Sequence, residues 1–230
     1  MPAHAKEKII TALDVPDFAA AEAVLLDLEG LATWCKIGMQ LFTKEGPPVV
    51  AMAKRRGFKI FLDLKFHDIP NTVASGVRSA AELGVDMLTI HLSGGPEMIR
   101  AAVEASPKVC VLGVTVLTSS TAETLQAVGI PHSPEAWVPS LARLGAGCGI
   151  GGIVCSPLEI EAVRQAAGLK VKIVTPGVRP AGAEWGDQKR VLTPAAAILA
   201  GADYLVVGRP ILAAANRRDA FEAIAAELED

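Results

Sequence analysis

The feature that most constrains this chain is a repeat. Eight short apolar runs recur along its 230 residues, with amphipathic stretches of helical spacing between them. The runs are Lys8–Val15, Thr33–Met39, Lys59–Phe66, Met87–Ser93, Lys108–Leu117, Gly151–Ser156, Lys172–Val178 and Tyr204–Pro210. Most are apolar throughout and do not alternate, which is the pattern of strands buried on both faces of a parallel sheet. Such strands can spread as an open doubly wound sheet or close into a barrel. Eight strand–helix units in a chain of this length favour closure. The expected fold is therefore α/β, a (β/α)8 TIM barrel made by residues 1–230 as one domain. No linker, charge run or low-complexity segment divides it.

The intervening stretches carry helix signals. Phe18–Leu28 follows Asp17, an N-cap residue. Leu41–Arg56 contains a Pro pair that would break its first turn. Asn71–Leu83, Glu97–Ala105 and Pro134–Leu144 follow. Ser156-Pro157-Leu158-Glu159 is a capping box with Pro in the first turn. Thr193-Pro194 opens another helix in the same way, and Phe221–Leu228 lies in the last one. Gly30, Gly57, Gly84, Gly145, Gly168 and Gly201 fall where helices should end.

Composition excludes several classes. The net charge is -3, so no global basic field draws the chain to nucleic acid or to a membrane surface. No apolar run reaches the roughly 18 residues of a membrane span, and the N-terminus lacks the apolar core of a signal peptide. The expectation is a cytoplasmic protein. Cys35, Cys110, Cys148 and Cys155 show no paired spacing and read as reduced, buried small side chains.

Against this apolar background the polar exceptions stand out, and they fall at strand ends. Barrels of this class work at the C-terminal ends of their strands. Asp14 ends the first run and Lys36 sits in the second. The third ends Phe61-Leu62-Asp63-Leu64-Lys65-Phe66-His67-Asp68-Ile69-Pro70-Asn71-Thr72. Regular alternation would point Asp63 and Lys65 one way and Leu62, Leu64 and Phe66 the other. Buried charges are costly unless paired, and such pairs cluster where chemistry is done. Asp63, Lys65 and Asp68 are thus catalytic candidates. His91 ends the fourth run, Thr118 follows the fifth, and Thr175-Pro176-Gly177 with Arg179 closes the seventh. Gly208-Arg209 ends the eighth, where barrels often bind phosphate; Arg supplies a planar fork for it. Gln188, in the polar stretch Ala181–Arg190, could add an amide donor, and that stretch is a candidate lid.

Other features read as structural. Gly147-Cys148-Gly149-Ile150-Gly151-Gly152 matches G-x-G-x-x-G but precedes a strand, the wrong order for a dinucleotide fingerprint. Thr118-Ser119-Ser120-Thr121 has the look of a helix N-cap. His4 and His132 read as loop residues, and His67 as one that orients or packs. No cluster has metal spacing, and no nucleophile elbow is present.

Together these motifs resemble the bacterial-type orotidine 5'-phosphate decarboxylase family along nearly the whole chain. The resemblance rests on Ala12-Leu13-Asp14, Lys36-Ile37-Gly38, the Asp63–Thr72 segment, Leu117-Thr118-Ser119, Thr175–Pro180, Gly186-Asp187-Gln188 and Val207-Gly208-Arg209-Pro210. It implies a cofactor-independent, metal-free carboxy-lyase that converts orotidine 5'-monophosphate to uridine 5'-monophosphate in pyrimidine biosynthesis. It implies a network of Lys36, Asp63, Lys65 and Asp68, with Lys65 as proton donor. Asp14 and Lys36 would bind the ribose, Thr118 the pyrimidine, and Arg179, Gln188, Arg209 and the Gly208 amide the phosphate. Ile69, Asn71, His91 and Pro176 complete the implied substrate contacts. Asp68 and Thr72 would serve a neighbouring subunit's site, making the protein a homodimer. Two alternatives stay open: a metal-dependent aldolase of the 3-hexulose-6-phosphate synthase type, and a barrel that binds a nucleotide without reaction.

Overall fold

All eight apolar runs become strands, and the strands close on themselves. The computed structural model describes residues 3–180 and 192–229. In chain order the elements are α1 (Ala3–Glu7), β1 (Ile9–Ala12), α2 (Phe18–Leu28), β2 (Trp34–Gly38), α3 (Met39–Glu45), α4 (Pro47–Arg55), β3 (Lys59–Phe66), α5 (Pro70–Glu82), β4 (Met87–His91) and α6 (Gly95–Ala105). They continue with β5 (Cys110–Val114), α7 (Ala122–Ala127), α8 (Pro134–Gly147), β6 (Gly152–Val154), α9 (Ile160–Ala167), β7 (Lys172–Pro176), α10 (Pro194–Leu199), β8 (Tyr204–Val207), α11 (Arg209–Leu212) and α12 (Arg217–Ala226). Each strand pairs in parallel with its sequence neighbours, and β8 returns to β1.

Closure produces two apolar layers. Inside the barrel, Ile10, Trp34, Phe61, Met87, Leu112 and Val174 pack on one another. Outside, Leu25, Leu28, Leu41, Val77, Ile160 and Phe221 press the helices onto the outer strand faces. Full burial of such a side chain contributes ~1.5–3 kcal/mol. At the floor, the Trp34 and Tyr204 rings meet edge to face at 5.7 Å. The floor is thus plugged, and the open end of the barrel is the one where the strands finish.

Local signals explain the helix boundaries. Asp17 caps α2 by accepting a hydrogen bond from the Ala20 amide at 3.0 Å. The expected Leu41–Arg56 helix is instead two helices, α3 and α4, separated by Gly46 at φ 63 just before the Pro pair. The hydroxyl cluster does cap a helix: Thr121 accepts from the Thr124 amide and starts α7. Glu159 reaches back to the Ser156 amide at 2.9 Å, as a capping box requires. The glycine-rich segment 147–152 is a helix-to-strand connection.

Three expectations need correction. Gly145 does not end α8; it lies inside the helix, where a Cβ would come within 2.9 Å of Leu92. Its smallness serves packing. His4 lies in α1, a short helix that the apolar pattern did not reveal. The last helix ends at Ala226, ahead of the expected Leu228.

Candidate active site

The polar strand ends converge on one pocket of about 290 Å³ at the C-terminal mouth of the barrel. Asp14, Lys36, Asp63, Lys65, Thr118, Pro176, Arg179, Gly208 and Arg209 all line it. One wall is apolar, formed by Val114, Val116, Leu117, Val154 and Cys155. A flat, partly apolar ligand with an anionic group would meet complementary surfaces here.

A chain of alternating charge runs across the pocket floor. Lys36 Nζ donates to Asp14 Oδ1 at 2.9 Å and stands 3.7 Å from Asp63 Oδ2. Lys65 Nζ donates to Asp63 Oδ1 at 2.8 Å. The Lys36 ammonium is almost fully buried, with a side chain 10% exposed, and Asp63 is 14% exposed. Burial pushes the Asp63 carboxyl up. The charges of Lys36 and Lys65, with hydrogen bonds from Lys65 and Thr89, outweigh it and hold the group below its usual 3.8. Asp63 is therefore an anion flanked by two ammonium groups. Gly38 leaves room for this chain, since a Cβ there would lie 3.0 Å from Lys36 Nζ.

Lys65 reaches Asp63 by a different route from the one that regular alternation implies. Leu62 pairs with Leu88, and the next paired residue, Phe66, faces Ile90. Asp63, Leu64 and Lys65 therefore lie opposite Thr89 alone, and β3 bulges. Lys65 sits at φ 51, the one non-glycine residue at positive φ among the described residues. This left-handed conformation costs ~1–3 kcal/mol in a side-chain-bearing residue. Leu64 and Phe66 still pack against the outer core.

Thr89 was not legible as a site residue. It is fully buried, and its hydroxyl accepts from the Lys65 amide and donates to Asp63 Oδ1, both at 2.9 Å. A polar residue two before His91 in an otherwise apolar run was the available signal. The apolar wall residues were also missed, because in sequence they read simply as strand.

On the opposite side of the pocket, Gly177 adopts φ 83, a left-handed turn that a Cβ would disfavour. The turn carries Arg179 into the pocket wall, where it is 8% exposed and Nη1 donates to the Val178 carbonyl. The Arg179 amide bonds the Leu192 carbonyl at 3.0 Å, so residues flanking the 181–191 stretch meet beside the pocket. Gln188 and the lid stretch Ala181–Arg190 lie outside the described residues. Gly208 leads directly into α11, whose first residue is Arg209.

Five residues named from sequence do not line this pocket. Asp68 and Ile69 lie on the exposed turn between β3 and α5, where Asp68 Oδ1 accepts from the Ile69 amide, and Asn71 and Thr72 are exposed in the first turn of α5. His91 packs beside His67, ring centroids 5.6 Å apart. Burial, then the charges of His67 and Lys65, hold His91 below its usual 6.5 despite Asp63. His132 stacks on Trp137. Among the described residues no group of three or more His, Cys, Asp or Glu could hold a metal ion. A divalent cation at Asp63 would also meet the like charges of Lys36 and Lys65.

Comparison with known proteins points one way. The profile of the orotidine 5'-phosphate decarboxylase / HUMPS family matches residues 7–224. The chain is 50% identical over 236 residues to an orotidine 5'-phosphate decarboxylase of Moorella thermoacetica, covering 98% of this chain and 94% of that one. It is 55% identical over 223 residues to that of an Anaeromyxobacter species, covering 96% and 98%. The crystal structure of orotidine 5'-phosphate decarboxylase from Lactobacillus acidophilus superposes with a TM-score of 0.87 at 35% identity, over 97% of this chain and all of that one.

Proposed function

The chain belongs to the orotidine 5'-phosphate decarboxylase / HUMPS family, and from that premise we propose that it decarboxylates orotidine 5'-monophosphate to uridine 5'-monophosphate without a cofactor. The observation that carries this reading is the 2.8 Å contact of the Lys65 ammonium with Asp63 at the floor of the pocket. Breaking the C6–carboxylate bond releases CO2 and leaves an electron pair in the ring plane, where the π system cannot delocalise it. A fixed positive charge must meet it instead. Lys65 supplies that charge and then its proton, forming the C6–H bond. The neutral amine regains a proton from water. Asp63, held ionised by its neighbours, holds the Lys65 ammonium in place by their 2.8 Å contact until the carbanion forms.

The other residues bind. Asp14 and Lys36 take the ribose hydroxyls, and Thr118 with Pro176 meets the pyrimidine. Arg179, Arg209, Gln188 and the Gly208 amide take the phosphate, whose binding energy orients a ring far from it. Asp68 and Thr72 serve the site of a second copy, with Ile69 and Asn71 as further substrate contacts, and the exposure of Asp68 before α5 and of Thr72 in its first turn supports that role. The working unit is a cytoplasmic homodimer of single-domain subunits; no described helix is long and apolar enough to cross a membrane.

The test is the fall in ultraviolet absorbance as orotidine 5'-monophosphate loses its carboxylate, followed with and without EDTA. The reading expects turnover that EDTA leaves unchanged. Inactivation by EDTA, with aldol activity on sugar phosphates, would establish the aldolase alternative. Tight binding of uridine 5'-monophosphate with no turnover would mark a binding protein. Sharing is tested by mixing inactive Lys65→Ala and Asp68→Ala proteins, which should recover about a quarter of wild-type activity through hybrid dimers.

A further inference from the structure

Resting on the decarboxylase reading, we propose that Thr89 is a positioning residue for the reaction: its hydroxyl replaces a missing strand contact at the β3 bulge and so fixes both the backbone of Lys65 and the carboxylate of Asp63. The bulge creates the need. Three residues of β3 face one of β4, so the Lys65 amide has no ladder carbonyl opposite it. A buried amide without an acceptor is costly. Thr89 Oγ1 takes that role at 2.9 Å.

The direction of the two hydrogen bonds follows from chemistry. The Lys65 amide can only donate, so the hydroxyl oxygen must accept there. Its own proton is then free for Asp63 Oδ1, also at 2.9 Å. The same Oδ1 receives Lys65 Nζ at 2.8 Å, which leaves Oδ2 to face Lys36 at 3.7 Å. One hydroxyl thereby couples main chain and side chain of the proton donor through a single carboxylate oxygen. It also retains a left-handed backbone at Lys65 that a lysine would not adopt by preference. A methyl group in its place would fill the same volume and do none of this.

The experiment compares Thr89→Val with Thr89→Ser. Thr89→Val keeps the shape and removes the hydroxyl; kcat should fall by about 100-fold, the scale of a misplaced catalytic group, while KM and the Kd for uridine 5'-monophosphate stay within about threefold. Its acid limb should move to higher pH, because Asp63 loses a hydrogen bond that favours its ionised form. Thr89→Ser should return kcat to within about fivefold of wild type, which a packing role would not predict. Equal losses in both variants would overturn the proposal, as would a Thr89→Val enzyme with wild-type kcat. The wild type supplies a readout that needs no variant: the Lys65 amide should exchange slowly with solvent, and fast exchange would refute the bond. A wild type that does not decarboxylate sinks the decarboxylase reading and this inference together. An active wild type beside an equally active Thr89→Val sinks this inference alone.

Discussion

The two ends of the barrel each hold a pair of lysines, and they hold them differently. At the floor, Lys59 Nζ lies 5.4 Å from the Trp34 ring centroid and Lys172 Nζ 5.3 Å from that of Tyr204. Both lysines are exposed. Water solvates them, and the ring contacts are worth ~0.5–1 kcal/mol. At the mouth, Lys36 is buried and Lys65 half-buried, and both are held by Asp63. Charge kept out of water is costly to maintain and rarely improves stability over an apolar replacement. On the proposed function the floor serves the fold and the mouth serves the chemistry, and mutations should separate the two.

The sharpest way to break that division is Lys65→Ala. It should lower kcat by at least ~10⁴-fold, since on the proposed mechanism it removes both the electrostatic partner and the proton donor. Its thermal midpoint should stay within a few degrees of wild type, and a collapse of the fold would place Lys65 in the stabilising set. Next comes Trp34→Ala at the floor. It should cost ~3–5 kcal/mol in denaturant unfolding, yet the folded fraction should keep its kcat; a matching loss of kcat would deny that the ends act separately.

Arg209→Ala probes the far side of the mouth. Losing a charge-assisted grip worth ~1.5–3 kcal/mol should weaken uridine 5'-monophosphate by about 10–100-fold and leave uridine unaffected. Equal weakening of both ligands, measured calorimetrically, would remove the phosphate role. Lys59→Ala and Lys172→Ala should each shift stability by no more than ~1 kcal/mol and leave kcat unchanged.

The smallest effect is a pH dependence. His91 titrates below its usual 6.5 in the folded protein, so the unfolded chain binds more protons there and stability falls as pH drops from 6.5 through the lowered value. His91→Asn should unfold with a flatter profile between neutral and mildly acidic pH. An unchanged slope would assign that acid sensitivity elsewhere. Asp63 has the same sign in a lower window, its contribution lost only as pH falls through a value below 3.8.

How far the sequence could be read depended on the kind of constraint. The barrel was legible because burial on both faces leaves an uninterrupted apolar run in every strand, and all eight runs form strands. Seven polar residues at strand ends were legible as one site because apolar strands seldom carry charge without a reason, and these seven line one pocket together with Pro176 and Gly208. The bulge at Lys65 was not legible. Its sequence alternates charged and apolar residues as a regular strand would, and the shift exists only relative to β4. Thr89 was hidden for the same reason, since a lone threonine in a strand is ordinary until its partner is known. Asp68 follows a charged strand end in sequence, but it and the exposed residues as far as Thr72 do not line the pocket.

Decarboxylation as proposed requires the Lys65 ammonium to meet the charge that develops at C6 of the pyrimidine. A crystal structure with bound uridine 5'-monophosphate should therefore hold Lys65 Nζ within about 3–3.5 Å of C6, the distance of a near-attack geometry, with the phosphate on Arg209. A base seated against the apolar wall with C6 turned away from Lys65, and another acid at that carbon, would contradict it.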